Sequence, residues 1–352
     1  LRSDNLTESE RTALVVAYNK LNDLLSQIDS IEGSLEALEA LIGRYTLRTV
    51  TSADEEDITL GGLLTAALLD SDNLTEQERI LVEGYAKKID ELLARIHMVA
   101  EEIDRVRGAY AELETGKLTG DDRTTVTDLI RAIDVLLDSQ NLTDAEREEL
   151  VLIRAKLNAM LEALEAKELI GKTYQDVSGH WAYDEIVEAI YRGLFNGVSE
   201  TEFAPNEKVT RGMFVTVLWR AAGCPESTGE LKFADVGEGA YYAEAVRWAC
   251  EKGITNGVSA TEFKPGMKIT REQMATFLYR FVKAYDLNLP KVAEYTGYAD
   301  AGKVSSYAAD AMQWAVEVGL LKGYEVGLLR PDALATRADA AVFMISFLDN
   351  AN

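Results

Sequence analysis

The phrase "TEFAPNEKVTRGMF" spans Thr201 to Phe214, and "TEFKPGMKITREQM" spans Thr261 to Met274. A looser copy, "GLLRPDALATRADA", spans Gly327 to Ala340, and in all three the arginine follows the proline by six residues: Pro205 to Arg211, Pro265 to Arg271, Pro331 to Arg337. The same register pairs Gly193 with Gly253 and Gly319, Gly197 with Gly257 and Gly323, and Trp181 with Tyr241 and Tyr307. A chain written this way builds three copies of one small unit, and such copies must share an apolar core.

The apolar spacing gives each unit two helices. The first carries Ile186, Ala189 and Ile190, then Val246, Ala249 and Cys250, then Met312, Ala315 and Val316. The second carries Phe214, Val217, Leu218 and Ala221; Met274, Phe277, Leu278 and Phe281; and Ala340, Phe343, Met344 and Phe347. Steps of three and four put each set on one helical face, and a single short hairpin is too small to bury it. Cys250 sits in the register of Ile190 and Val316, a small buried hydrophobe rather than a catalytic thiol, with a disulfide to Cys224 left open. Trp248 and Trp314 read as packing.

Residues 1 to 169 repeat differently. "NLT" recurs at Asn5, Asn73 and Asn141, a step of 68 residues, each time before a long helical pattern. Thr7 with Glu10, Thr75 with Glu78 and Thr143 with Glu146 have capping-box spacing, as do Thr51 with Asp54 and Thr119 with Asp122 before shorter patterns. Leu81, Tyr85, Ile89, Leu92, Leu93 and Ile96 form a stripe on the second long helix, and a bundle of about five helices follows. The expectation is an all-α chain, with a helical-repeat bundle over 1–169 and a threefold helical domain over 171–352.

The formal charge of −24 lies mainly in front: residues 1–170 hold 18 Lys and Arg against 36 Asp and Glu. That is no footprint for nucleic acid. No stretch has the length of a transmembrane span, no signal peptide is visible, and two cysteines are not a disulfide scaffold. The acidic run Asp70 to Glu78 lacks the glycine and the ligand register of a calcium loop and reads as capping; the asparagine of each "NLT" reads as part of a turn. His97 and His180 are the only histidines, too few for a metal cluster, and no pair of carboxylates stands out as shielded. No enzyme, cofactor or metal is expected.

The arginines are the candidate site. Each follows a threonine cap, where a cation opposes the helix dipole at a cost of about 0.3 to 1 kcal/mol when exposed. A carboxylate ligand would reverse that balance, using free helix N–H groups and the guanidinium together. An internal clamp onto Asp176, Asp235 or Asp300 would do so equally well; one guanidinium, with five donors, can serve both.

The stretches "YQDVSGHWAYDEIVEAIYRGLFNG", "FADVGEGAYYAEAVRWACEKGITNG" and "YADAGKVSSYAADAMQWAVEVGLLKG", each followed by the proline turn and "TR", resemble three S-layer homology (SLH) modules at about 171–223, 230–281 and 295–348. The resemblance covers about half the chain and names no family for residues 1–170. It implies a pseudo-threefold domain with grooves between modules, on an exported bacterial protein held noncovalently at the cell wall. The implied partner is an anionic, often pyruvylated, secondary cell-wall polysaccharide, with self-association or S-layer neighbours as the alternative. The resemblance assigns Arg211, Arg271, Arg337, Trp181, Tyr241, Tyr307, Asp176, Asp235, Asp300, Gly197, Gly257 and Gly323 to ligand binding. The acid closing the family's threonine-arginine-alanine-glutamate stretch survives only as Asp339; Met213 and Gln273 depart from it. A rigid cap at Thr336–Asp339, and a neutral one at Thr270–Gln273, therefore predict that the grooves of Arg337 or Arg271 fill before that of Arg211.

Overall fold

A computed structural model describes residues 7–26, 31–291, 298–321 and 327–351. Asn5, Gly323 and the Glu10 side chain lie outside the described residues. The chain divides into two compact units, Leu1–Leu164 and Glu165–Asn352. Among the described residues there is no β-strand; helices and short 3-10 turns make up the structure, so the chain is all-α.

The first unit contains α1 (Glu8–Ser26), α2 (Ile31–Gly43), α3 (Glu55–Leu69), α4 (Glu76–Thr115), α5 (Arg123–Asp138) and α6 (Asp144–Thr173), the unit boundary falling inside α6. Among the described residues these are six helices where about five are expected, the first long pattern contributing both Glu8–Ser26 and Ile31–Gly43. The four caps that fall within the described residues form as the spacing predicts. Glu78 accepts from the Thr75 amide at 2.7 Å and Glu146 from the Thr143 amide at 2.8 Å. The boxes at Thr51 and Thr119 close 3-10 turns, Ser52–Asp54 and Gly120–Asp122, which lead into α3 and α5.

The stripe on α4 is buried or half-buried from Tyr85 to Ile96 as expected, but it does not begin at Leu81. Leu81 is exposed and Val82 is fully buried. The inward positions run Val82, Tyr85, Ile89, Leu92, Ile96, Val99, Ile103, Val106 and Tyr110, buried or half-buried, in alternating steps of three and four. That is a seven-residue seam, and it selects Val82. The core then repeats with the sequence: Ile58 and Val126, Leu68 and Leu136, Val82 and Leu150, Ile89 and Leu157 are buried pairs 68 residues apart.

Arginine repeats with it. Arg79 donates to the carbonyls of Leu69 (3.0 Å) and Ser71 (3.2 Å). Arg147, 68 residues on, donates to those of Leu137 (2.6 Å) and Ser139 (2.7 Å). Asn141 is more than a turn residue: it is buried, its amide donates to the carbonyls of Leu47 (3.0 Å) and Val50 (2.7 Å), and its oxygen accepts from Arg95 at 2.8 Å. Its equivalent, Asn73, is exposed.

The second unit holds α7 (Tyr183–Tyr191), α8 (Arg211–Ala221), α9 (Ala243–Glu251), α10 (Arg271–Ala284), α11 (Ala309–Glu317) and α12 (Arg337–Ala351). The second helix of each module packs on the first helix of the next: α8 on α9, α10 on α11, and α12 back on α7. Three antiparallel bridges, Thr210 to Lys268, Thr270 to Leu334 and Lys208 to Thr336, join each module to the other two. The ring is therefore closed, and a continuous buried core runs through it from Val177 to Phe347. Both helix stripes face that core as the repeat predicts, but each hairpin is completed by the neighbouring module rather than its own.

Candidate functional site

Closure consumes the helix starts. The amides of Arg211 and Gly212 donate to the carbonyls of Met267 and Pro265, those of Arg271 and Glu272 to Ala333 and Pro331, and those of Arg337 and Ala338 to Glu207 and Pro205, all at 2.8–3.0 Å. The N–H groups that a carboxylate ligand was expected to use are held by the proline turn of the next module.

The arginine side chains follow the same path. Arg211 Nε donates to the Phe263 carbonyl (2.8 Å), Arg271 Nε to that of Leu329 (3.0 Å) and Arg337 Nε to that of Phe203 (2.7 Å). Arg337 Nη2 also reaches the Asn196 carbonyl at 2.7 Å. All three side chains are buried, at 5–6% exposure. Aromatic faces replace water around two of them: Arg211 lies 4.7 Å from the Phe263 ring centre and Arg337 lies 4.4 Å from that of Phe203. Burial pushes Arg211 down to about 10 and lowers Arg337 as well.

The clamp exists, but it does not join arginine to aspartate. Asp176 accepts from the amides of Phe203 and Ala204, Asp235 from Phe263 and Lys264, and Asp300 from Leu329 and Arg330, at 2.6–3.1 Å. Each turn is thus held twice, its N–H groups by the aspartate of its own module and its C=O by the arginine of the preceding one. Burial raises Asp235 and Asp300, yet the amides they accept outweigh it and hold both below the usual carboxylate range. The second residue of each clamped pair is where the backbone pays: Ala204, Lys264 and Arg330 all take positive φ, 57°, 56° and 49°. A Cβ on Gly197 would collide with the Tyr174 ring, and one on Gly257 with that of Phe233, which assigns both glycines to packing beneath the turns.

The aromatic residues are the exposed members of the set: Trp181 at 65%, Tyr241 at 63% and Tyr307 at 51%. The buried cations relate to them in cyclic order. Tyr241 lies in the field of Arg337, and Arg211 in that of Tyr307. Trp181 and Arg271 line a cleft of about 350 Å³ with Glu185, Asp339 and Ser346. Sequence reasoning missed Glu272, a buried carboxylate that accepts from the Tyr307 hydroxyl (2.9 Å), the Ser305 hydroxyl (2.8 Å) and the Ser305 amide (2.9 Å). Its counterparts are Gly212 and Ala338, so the repeat gives no signal for it. Burial, then that bond, pushes the Tyr307 hydroxyl up to about 12.

The remaining candidates are structural. Cys224 and Cys250 are free thiols, and burial raises that of Cys250. His97 pairs with Glu55 at 3.0 Å on the surface, and His180 accepts from the Ala182 amide. Among the described residues, no three His, Cys, Asp or Glu side chains gather to hold a metal ion, and no helix is long and apolar enough to cross a membrane.

This ring of three turn-and-helix units coincides with a known family. The S-layer homology domain profile matches residues 173–212, 232–275 and 297–341. The chain carries three S-layer homology domains. Among curated relatives, an amylopullulanase of Thermoanaerobacterium thermosulfurigenes is 30% identical over 181 residues, 51% of this chain and 10% of the relative. An endoglucanase of Bacillus sp. (strain KSM-635) is 32% identical over 168 residues, 48% of this chain and 18% of the relative. A surface-layer 125 kDa protein of Lysinibacillus sphaericus is 31% identical over 180 residues, 50% of this chain and 15% of the relative. The aligned part thus spans between a tenth and a fifth of these relatives. S-layer homology domains mediate cell-wall anchoring, which places the protein at the bacterial cell surface.

Proposed function

We propose that the three S-layer homology domains hold this protein to an anionic, pyruvate-bearing secondary cell-wall polysaccharide through the grooves between modules, with the front helices as a spacer or assembly element. The observation that carries this reading is the repeated pairing of a buried, backbone-fixed guanidinium with an exposed ring: Arg337 with Tyr241, Arg211 with Tyr307, Arg271 with Trp181. A guanidinium held by carbonyls is preorganised and sits where low dielectric strengthens its pull on a carboxylate. The ring beside it can cover the apolar face of a sugar. Twelve residues are proposed for the site: the arginines and aromatics as ligand contacts, Asp176, Asp235, Asp300, Gly197 and Gly257 as supports of the turns, and Gly323 by its place in the repeat alone.

Isothermal titration of the full chain with purified secondary polymer, before and after removal of the ketal, tests the reading. Saturable binding that falls when the ketal is removed supports it, and no binding to polymer from the source strain overturns it. Self-association is the second reading, favoured by exposed Val135, Val151 and Leu152 on the first unit. Sedimentation over a concentration series decides it: a monomer throughout removes it.

A further inference from the structure

The residue after each arginine is Gly212, Glu272 or Ala338, and two residues before each exposed ring stand Gly239, Ser305 and Gly179. Because α8 packs on α9, α10 on α11 and α12 on α7, these positions pair as Gly212 with Gly239, Glu272 with Ser305, and Ala338 with Gly179. Only one pair is polar, and both of its members depart from the repeat together. Their surroundings have adjusted to them. A Cβ on Gly212 would lie 3.0 Å from the ring of Tyr242, whereas the counterpart of Tyr242 beside Glu272 is Ala308. Large and small residues have changed sides between the two interfaces.

Glu272 is buried and uses both carboxylate oxygens. One accepts from the Ser305 amide at 2.9 Å; the other accepts from the Ser305 hydroxyl at 2.8 Å and the Tyr307 hydroxyl at 2.9 Å. The Tyr307 hydroxyl also meets the side chain of Gln273, while its ring stays half exposed with Arg211 in its field. The polar end of Tyr307 is thus committed to the protein, and the groove is offered the ring. Tyr241 has a neutral tether instead: its hydroxyl meets that of Thr210, which already accepts from the Met213 amide. A charged acceptor makes the stronger bond. Charge alone argues against a carboxylate behind a ring that is proposed to receive an acidic sugar.

We infer that Glu272 is a positioning residue, holding the ring of Tyr307 in one orientation beside Arg211 so that a sugar face meets a platform already in place. A side chain ordered in advance need not be ordered by the ligand. The inference rests on the proposed polysaccharide function and adds to it a residue that touches no ligand.

Charge and position predict opposite signs. Loss of the carboxylate in Glu272→Ala strengthens the binding of an acidic polymer if charge decides, and weakens it if position decides. The full chain, with tyrosine rings labelled and Tyr307 assigned from Tyr307→Phe, is titrated with purified ketal-bearing polymer while the ring resonances are followed. Glu272→Ala should lower the affinity read at Tyr307 about fivefold, and the Tyr307 hydroxyl should titrate below its native value of about 12. Glu272→Gln should keep most of the affinity: with its oxygen turned to the Ser305 amide, its own N–H donates to the Tyr307 oxygen and the ring stays anchored. Tyr307→Phe keeps the ring and the carboxylate but removes the bond between them, and should weaken binding in isothermal titration even if Glu272→Ala fails to fold. Unchanged or tighter binding by Glu272→Ala or Tyr307→Phe, or Glu272→Gln as weak as Glu272→Ala, overturns the inference alone, as does polymer binding that leaves Tyr307 unmoved. A native chain that takes up no polymer overturns the polysaccharide reading beneath it.

Discussion

Both units use an arginine near a helix start to grip backbone carbonyls, and the reach of that grip separates them. Arg79 and Arg147 hold carbonyls eight and ten residues earlier in sequence, within their own turn. Arg211, Arg271 and Arg337 hold carbonyls 52, 58 and 134 residues away, in another module. A local grip stiffens one connection and leaves the repeat open to extension. The cross-module grip, repeated three times in cyclic order, makes each module depend on the other two.

The largest test of that difference is Arg337→Ala. It leaves the Phe203 and Asn196 carbonyls without their charged donor and should cost about 3 kcal/mol, spread over the whole second unit because all three modules share one core. Chemical denaturation followed through Trp248 fluorescence reads it; loss confined to the turn around Phe203 would mean that the ring is not one cooperative unit. Arg337→Lys should recover less than half, since an ammonium lacks the fork that spans two carbonyls.

Asn141→Ala comes next, at about 2 kcal/mol, because it strips donors from the Leu47 and Val50 carbonyls and an acceptor from Arg95. Asn73→Ala, at the exposed equivalent, should stay within about 0.5 kcal/mol. Equal losses at the two sites, measured by urea unfolding, would erase the distinction between them. Arg147→Ala should cost about 1 to 2 kcal/mol, with hydrogen exchange rising only around Leu137 and Ser139. Exchange rising through the entire first unit would make the local grip as far-reaching as the other.

The smallest effect is acid sensitivity. Asp235 and Asp300 titrate below the usual range in the folded chain, so they remain ionised where the unfolded chain, near pH 3.9, already binds protons. Their stabilisation is complete above that value and is lost as pH falls through the lower folded one. Asp300→Asn should flatten the acid limb of the second unit's stability curve below about pH 4; an unchanged limb would show that the turn amides do not depend on the charge.

These features were unequally legible. The caps, the three units and the identity of their apolar faces could be read because they are local spacings. Helix pairing could not: the stripe of α8 suits α7 or α9 equally, and only closure through Lys208 and Thr336 decides it. The target of the arginines was hidden for a related reason, since a backbone carbonyl leaves no mark in sequence and the aspartates suggested a direct ion pair. On α4 a stripe of six residues from Leu81 to Ile96 matched Leu81 as well as Val82, and the seam became unambiguous only over several heptads. Asn141 and Glu272 break their own repeats, where register argues against them.

The packing of α12 on α7 also sets an order of events. A chain synthesised from its N-terminus releases Tyr183–Tyr191 long before Arg337–Ala351 exists, so the first helix of the ring waits with its apolar side uncovered while two further modules emerge. Partial lengths of this unit have no finished edge to rest on. Its folding is timed by its last helix, and a cut that removes that helix returns the first one to the same exposed state.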